Sequence, residues 1–214
     1  MSLTPTLEHE QRLWRAGCRV VVGLDEVGRG AWAGPIVAAA VVFAPLAIVP
    51  AALAGVRDSK LLTPPARAEL CLAIRERALG VGIGLMPPEL IDCVGIGAAN
   101  RLAMAAALDD TGLFPEHLLI DYFRLPALPT PQTPITDGDA LCFSIAAASI
   151  VAKVTRDRLM EELEPCHPGY GFAQHKGYGT PTHRSALARL GLCVQHRRSF
   201  APMCDLCGEA ERGT

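Results

Sequence analysis

The sequence predicts an α/β domain in which helices pack on the faces of a sheet. Two apolar runs, at residues 18–24 and 36–43, are bounded by glycine and proline and are typical of buried strands. Helical patterns alternate with such runs farther along the chain. With 214 residues, half of them hydrophobic, the chain is long enough to bury a full core without a disulfide or a metal ion.

Local signals justify the elements in order. A short polar helix over residues 6–16 ends at Gly17. After the two strands, Thr63 caps an amphipathic helix whose first turn contains two prolines. The remaining predicted elements are a weak glycine-containing strand over 80–85, a helix over 98–108, a short strand over 118–121, a four-proline loop over 124–139 and a long helix over 140–163.

The 20 lysines and arginines nearly balance the 22 aspartates and glutamates, which gives a formal net charge of −2. This balance excludes a uniformly basic coat and argues against an acidic disordered tail. Residues 165–203 nevertheless contain five basic residues, no acidic residue and four of the six histidines. The five are Lys176, Arg184, Arg189, Arg197 and Arg198. The stretch predicts either a positive surface or an ordinary solvated helix face.

The eight cysteines are dispersed, and the chain begins MSLTPTLEHEQ, without a basic segment followed by an apolar one. These features predict a cytoplasmic protein with reduced thiols. Residues 31–56 contain no charged side chain, but three prolines interrupt them. Because a membrane-spanning helix needs about 20 continuous apolar residues, this run is interpreted as a buried strand followed by a connection.

Residues 28–33 formally match the GxGxx(G/A) fingerprint of dinucleotide-binding proteins. Pro35 and a β-branched run stand where a helix should open, however, and no suitable acidic residue follows before Asp58. Asp25 and Glu26 would also repel a pyrophosphate. A nicotinamide-dependent oxidoreductase is therefore disfavoured.

Asp25 and Glu26 are instead interpreted as the functional part of this segment. Adjacent side chains on a strand point to opposite faces, so two useful neighbouring carboxylates predict that the strand ends there. Asp121 ends a short apolar run in the same way, and Asp139 follows the proline-rich loop. Asp139 is either a site residue or a helix N-cap, and Asp137 is an alternative cap. Four such carboxylates suit two divalent cations about 4 Å apart and the hydrolysis of a phosphodiester.

The glycine-rich loop fits the same interpretation. Gly28 and Gly30 let backbone N–H groups approach a ligand closely, and Arg29 supplies positive charge for a phosphate. Carboxylates and phosphate-directed donors are compatible when divalent cations lie between them.

Six segments of distinct composition follow one another along the chain: GLDEVGRGAWAGPIVAAAVV, RDSKLL, LLID, GDALCFSIAAASIVAKVTRDR, HKGYGT and HRRSF. In content and order they resemble the motifs of the ribonuclease HII family, from about residue 18 to residue 203. The resemblance implies a ribonuclease H-like mixed β-sheet flanked by helices, with a helical C-terminal part. It also implies a catalytic domain over residues 1–203, followed by a tail of unknown role over 204–214.

The resemblance further implies an endonuclease that cleaves on the 5′ side of a ribonucleotide and leaves 3′-hydroxyl and 5′-phosphate ends. The implied substrates are RNA·DNA hybrids and ribonucleotides embedded in duplex DNA, as in ribonucleotide excision repair. The implied cofactor is Mn²⁺ or Mg²⁺ in a two-metal-ion reaction. We expect a cytoplasmic monomer that does not associate with a membrane. The alternative is a non-catalytic nucleic-acid-binding module that uses the basic stretch.

Matched residue by residue, the resemblance assigns metal binding to Asp25, Glu26, Asp121 and Asp139. It assigns recognition of the ribose 2′-hydroxyl to the loop of Gly28, Arg29 and Gly30. It assigns stacking on the sugar at the RNA-to-DNA junction to Tyr178.

Contacts to the nucleic-acid backbone are assigned to Lys60, Ser149 and Lys153 in the same way. Lys153 and Asp157 are four residues apart on a predicted helix, so a simple ion pair is an alternative for them. Tyr122 departs from the family pattern, because many members have glycine at that position.

Cys204 and Cys207, preceded by Cys193 and His196, invite comparison with a zinc site. The spacing C-x2-H-x7-C-x2-C is unusual for zinc, and the histidine already belongs to the HRRSF segment. A zinc site is therefore disfavoured.

Overall fold

The computed structural model describes residues 4–45 and 48–204. In this part of the chain five strands form one sheet: β1 (Val21–Val27), β2 (Ile36–Val42), β3 (Gly80–Met86), β4 (His117–Asp121) and β5 (Gln132–Ile135). Their order across the sheet is β3-β2-β1-β4-β5. β2 is antiparallel to β1 and β3, whereas β4 is parallel to β1 and β5. The predicted mixed sheet is therefore confirmed.

The α-helices of the described residues lie on both faces of the sheet and beyond its end. They are α1 (Glu8–Arg15), α2 (Pro64–Arg77), α3 (Pro88–Val94), α4 (Ile96–Asp110), α5 (Gly138–Leu141), α6 (Phe143–Leu163), α7 (Phe172–His175) and α8 (Pro181–Leu190). Short 3₁₀ helices occur at Ala51–Leu53 and Ser59–Leu61. None of these described helices combines the length and apolar character that a membrane span requires.

Both faces of β2 are buried, which explains why its sequence is apolar throughout. Because side chains alternate along a strand, Ala39 and Val41 pack with α2 and α6 on one face of the sheet. Ala38 and Ala40 pack with α4 on the other face. The two cores are therefore separated by one sheet.

Strand glycines allow the helices to lie very close to the sheet. A Cβ atom at Gly23 would overlap the backbone of Ser144 in α6. A Cβ atom at Gly84 would overlap the Ala103 carbonyl in α4. Helix packing thus explains why the glycine-containing segment predicted as a weak strand does form β3.

The first strand begins and ends later than the predicted residues 18–24, but it ends directly after the carboxylate pair, as predicted. β1 continues to Val27, and Asp25 and Glu26 pair with Ala39 and Ala38 of β2. The strand continues because β2 supplies backbone partners for both acidic residues.

The prediction of a loop over residues 124–139 is also incorrect, since β5 lies within it. Pro134 pairs with Ile120 of β4 although it has no N–H group to donate. The position tolerates proline because β5 is an edge strand of the sheet.

The single helix predicted over residues 140–163 is interrupted. Cys142, with an extended backbone (φ −112°, ψ 125°), separates α5 from α6. The N-terminal segment fills the break, because Phe143 N donates to Thr6 O at 3.1 Å. Glu10 of α1 also accepts a 2.7 Å hydrogen bond from Ser144 N, so it caps α6 from outside that helix.

The C-terminal part is helical, as predicted, and α7 and α8 pack around the buried Phe172 in a small core of their own. The basic stretch does not form the uniform positive surface that its composition suggests. Arg197 is fully buried, and Lys176 pairs with Glu161 at 2.6 Å. The exposed basic residues of this stretch are Arg184, Arg189 and Arg198.

Candidate active site

One groove of about 470 Å³ lies where β1 and β4 end beside the first half of α6. It brings together all eleven residues for which the sequence predicts a role. Those residues are Asp25, Glu26, Gly28, Arg29, Gly30, Lys60, Asp121, Asp139, Ser149, Lys153 and Tyr178. Val27 and Ser59 complete the lining.

Asp25 and Glu26 reach the groove from opposite faces of β1. Asp25 is 6% exposed and accepts a hydrogen bond from the Ser149 side chain of α6. Ser149 also contacts Ser59, with 2.9 Å between the two hydroxyl oxygens. Glu26 interacts instead with Asn100 of α4. Each helix layer therefore helps to position one of the two neighbouring carboxylates.

Asp121 and Asp139 are placed by the turn that links β5 to α5. Asp121 ends β4, and its Oδ1 accepts a 2.8 Å hydrogen bond from Gly138 N. Asp137 occupies the N-cap position of α5, although its side chain makes no capping hydrogen bond there. Asp139 lies in the first turn, with Oδ2 3.2 Å from Lys60 Nζ. Asp139 is thus a groove residue and not the helix cap.

Tyr122 has a left-handed backbone with φ of +59°. Glycine adopts this conformation without strain, which accounts for the glycine that the resemblance leads one to expect here. Tyr122 N still donates to Ile135 O at 2.9 Å, so the departure leaves the turn after Asp121 intact.

Burial and, to a smaller extent, neighbouring negative charges raise the pKa of three of the groove carboxylates. Burial raises the pKa of Asp25 well above its ordinary value, and the charges of Glu26 and Asp121 raise it further. Burial also raises the pKa of Glu26 from 4.5 to about 7 and raises that of Asp121. Such shifts indicate a site in which too little positive charge lies near the carboxylates. Bound cations would supply that positive charge.

These residues fit a hard divalent cation. Carboxylate oxygens are the ligands that Mg²⁺ and Mn²⁺ prefer. Glu26 Oε2 is buried without a hydrogen-bond partner among the described residues. Within residues 4–45 and 48–204, no three His, Cys, Asp or Glu side chains are arranged so that they could hold a metal ion by themselves. The four acids line one groove, and an ion held there would need ligands in addition to the protein's carboxylates.

Basic and aromatic side chains occupy the rim. Lys60 is exposed, and Arg29 is exposed with its guanidinium 4.6 Å from the Phe123 ring centroid. Lys153 pairs with Asp157 at 2.7 Å, and Arg67 pairs with the same carboxylate at 3.1 Å. The alternative of an ion pair between Lys153 and Asp157 is therefore confirmed, and Lys153 also lines the groove.

The loop of Tyr178 docks directly onto the segment that follows Gly30. Trp32 N donates to Gly177 O at 2.8 Å, and Ala33 N donates to the same oxygen at 3.2 Å. A Cβ atom at Gly177 would overlap the Ala33 carbonyl. The Tyr178 ring and the glycine loop therefore border the groove as one connected structure.

The histidine of the C-terminal cysteine and histidine pattern contacts other side chains of the described chain. His196 Nδ1 lies 3.2 Å from Cys193 Sγ, and His196 Nε2 lies 3.1 Å from His183 Nε2. Both ring nitrogens thus have protein partners, and no metal-binding group was found among the described residues, Cys204 included. Cys207 lies outside the described residues.

The sequence interpretation did not assign a role to Ser59 or Asn100. Ser59 is adjacent to Lys60 in the RDSKLL segment, so its place in the groove could have been predicted from that motif. Asn100 lies within an ordinary helical pattern, and only the packing of α4 against β1 brings it to Glu26.

Comparison with known proteins agrees with this geometry. The ribonuclease HII family matches residues 22–203. Ribonuclease HII of Dehalococcoides mccartyi is 49% identical over 202 residues, which cover 94% of this chain and 95% of that protein. The crystal structure of ribonuclease H2 from Pyrococcus horikoshii OT3 aligns with a TM-score of 0.74 and 25% identity, over 91% of this chain and 100% of that one.

A structure of Bst-RNase HIII in complex with Mn²⁺ also shares the fold, with a TM-score of 0.64 and 22% identity over 91% of this chain and 71% of that one. This architecture defines a nuclease of the ribonuclease H class. Within that class the chain belongs to the ribonuclease HII family. It is an endoribonuclease that hydrolyses phosphodiester bonds in RNA·DNA hybrids, and its family depends on divalent metal ions.

Proposed function

We propose that the groove cleaves the phosphodiester on the 5′ side of a ribonucleotide, both in RNA·DNA hybrids and at single ribonucleotides embedded in duplex DNA. The proposed products carry 3′-hydroxyl and 5′-phosphate ends. The observation that carries the proposal is the convergence of four acids, the glycine loop and Tyr178 on one groove.

In this proposal Asp25, Glu26, Asp121 and Asp139 hold two Mg²⁺ or Mn²⁺ ions. When bound, such ions lower the pKa of a water nucleophile and stabilise the leaving 3′-oxygen. Ser149 orients Asp25, and the Gly138 N–H group orients Asp121. The Lys60 ammonium beside Asp139 supplies positive charge for the phosphate backbone.

Recognition of the ribonucleotide is proposed for the loop of Gly28, Arg29 and Gly30. Gly28 has φ of +89°, a conformation that glycine adopts freely and that turns the backbone at the groove edge. Tyr178 is half-buried at the facing edge, where its ring is available to stack on a sugar. The 2′-hydroxyl would then be read between the two loops.

The deciding assay uses a DNA duplex that contains one ribonucleotide, with an all-DNA duplex of the same sequence as control. We expect a metal-dependent nick directly 5′ to the ribonucleotide and no cleavage of the control. Asp121→Asn should abolish the nick while circular dichroism stays unchanged, since it removes a ligand charge and keeps the side-chain shape. Salt-dependent binding without any nick would favour a non-catalytic binding module.

Further proposals concern the setting of the reaction. We place the catalytic domain at residues 1–203, including α7 and α8, and leave the tail over 204–214 without an assigned role. We propose a cytoplasmic monomer that acts in ribonucleotide excision repair. Sedimentation of the purified protein with and without substrate would measure the proposed stoichiometry.

A further inference from the structure

Two arginines are fully buried behind the groove. Arg156 on α6 and Arg197, which follows α8, are both 0% exposed. Neither forms an ion pair with a carboxylate in the described part of the chain. A buried charge is costly unless hydrogen bonds compensate it, so the groups that surround these guanidinium groups are informative.

Arg156 bonds three backbone carbonyls. Its Nε donates to Pro35 O at 2.8 Å and one terminal nitrogen donates to Ala33 O at 3.1 Å. The other terminal nitrogen donates to Lys176 O at 2.9 Å. Its guanidinium carbon also lies 5.4 Å from the centroid of the Tyr178 ring. A single side chain therefore links the segment after the glycine loop to the tyrosine loop.

Arg197 acts on the other side of the same segment. Two of its nitrogens donate to Gly34 O at 3.1 and 2.9 Å. A third donates to Arg29 O at 2.9 Å, which is inside the glycine loop. Burial and the neighbouring Arg156 charge lower the pKa of Arg197 to about 9, so it remains protonated near neutral pH.

The fit between Arg156 and the loop is tight. A Cβ atom at Gly28 would lie 2.6 Å from Arg156 Cδ and would overlap its Nε. The loop thus rests directly on the guanidinium group, and the missing side chain of Gly28 makes that contact possible. A lysine would keep the charge but cannot match the planar array of donors that reaches three carbonyls.

We propose that Arg156 and Arg197 are positioning residues that determine selectivity for the RNA-to-DNA junction. They fix the distance between the Gly28–Gly30 loop and Tyr178, and hence the space offered to a ribonucleotide that lies between them. This inference rests on the proposed function, in which those two loops receive the ribose and the adjoining sugar. Neither arginine is proposed to touch the substrate.

The test compares kcat and KM on two substrates, a duplex with one embedded ribonucleotide and a continuous RNA·DNA hybrid. The variants are Arg156→Lys, Arg197→Lys and Tyr178→Ala. Ile74→Ala is the matched control, because Ile74 is fully buried in α2 and belongs to neither loop. Its cavity lowers stability without disturbing the loops.

We expect each Arg→Lys variant to reduce the preference for the embedded ribonucleotide, measured as the ratio of kcat/KM values, by about tenfold. The loss should fall on kcat, since the rim that binds the backbone is unchanged. Tyr178→Ala should show a similar loss, and Ile74→Ala should keep the wild-type ratio despite a lower Tm. Either lysine variant suffices if the other fails to fold.

Three results would overturn the inference. Wild-type ratios in the folded lysine variants, with a reduced ratio in Tyr178→Ala, would refute the positioning role and leave the proposed function standing. An equal loss in Ile74→Ala would assign the effect to general destabilisation. An unchanged ratio in Tyr178→Ala would show that the proposed role of the tyrosine is itself incorrect, and the inference would fail with it.

Discussion

At the scale of single residues, the site depends on two adjacent carboxylates that belong to different layers of the molecule. Asp25 contacts Ser149 of α6, and Glu26 interacts with Asn100 of α4. The two side chains point to opposite faces of β1. Both still reach the groove, because they lie close to the end of the strand at Val27. Burial raises the pKa of both acids, so their ionised forms lower the free energy of unfolding when no cation is bound.

Glu26→Gln should therefore stabilise the metal-free protein. The folded-state pKa of about 7 exceeds the ordinary 4.5, so ionised Glu26 lowers stability as pH rises through this range, with the full cost above pH 7. The shift corresponds to at most about 3 kcal/mol. Thermal unfolding at pH 8 in a chelator should show a higher Tm for the variant than for the wild type.

Added Mg²⁺ should reverse that order, because the wild type keeps the ligand charge and gains more from the ion. Thermal unfolding with Mg²⁺ is the paired measurement and requires no catalysis. Equal Mg²⁺-induced gains in both proteins would contradict the assignment of Glu26 as a ligand.

At the scale of secondary-structure elements, the sequence predicts most strands and helices but misses the strand β5 and the break between α5 and α6. Apolar runs and the Thr63 cap locate β2 and α2 closely. The sequence does not predict β5, because proline usually indicates a loop. Pro134 is compatible with a strand only because β5 lies at the edge of the sheet, which the sequence does not reveal. The break at Cys142 depends on pairing with the distant Thr6. Local pattern carries no information about such partners.

The same reasoning explains why the site was easier to predict than its support. Asp121 and Asp139 lie beside recognisable strand and loop signals, and motif resemblance adds Tyr178. Arg156 and Arg197 look like ordinary charged residues in sequence, and only tertiary packing reveals that both are buried.

Gly84→Ala tests the close packing of β3 against α4. The added methyl group would overlap the Ala103 carbonyl and lie 2.7 Å from Ala107 N, so the helix must shift. We expect destabilisation by about 2 kcal/mol or more, measured by urea unfolding. Gly97→Ala is the matched control in the first turn of α4, where the nearest atom is 3.8 Å away on the flexible Arg101 side chain. It should stabilise by about 0.5–1 kcal/mol, and a comparable loss in both variants would refute the packing explanation.

At the scale of the whole molecule, the near-zero net charge conceals two separate groups of charge, one acidic and one basic. Acidic side chains surround the groove at the strand ends, and two buried arginines lie behind the loops that border it. The C-terminal part thus contributes Tyr178 to the wall of the groove, and its Arg197 donates to the Arg29 carbonyl of the glycine loop from behind. A change that destabilises the C-terminal part should therefore also disturb the geometry of the groove.

A chain of hydrogen bonds between histidines joins that part to the tyrosine loop. Cys193 N donates to His196 Nδ1 at 2.9 Å, so the proton of a neutral His196 is on Nε2 and points at His183 Nε2, 3.1 Å away. His183 Nδ1 then donates to Tyr178 O at 3.0 Å. The order of donors requires both rings to be neutral, since a further proton would leave two N–H groups facing each other.

His196→Gln should make stability less sensitive to acid. Burial, followed by the neighbouring His183, lowers the pKa of His196 from 6.5 to about 4, so the unfolded chain binds the proton first and stability falls as pH drops from about 6.5 to 4. One such histidine contributes at most about 3 kcal/mol to this loss. Glutamine keeps a donor toward His183 and cannot be protonated. The free energy of unfolding, measured by urea at intervals over this range, should therefore decline less in the variant. The groove carboxylates have the opposite pH dependence, and it cancels when the free energies of unfolding of the two proteins are subtracted. Parallel curves for the two proteins would show that His196 does not titrate as proposed.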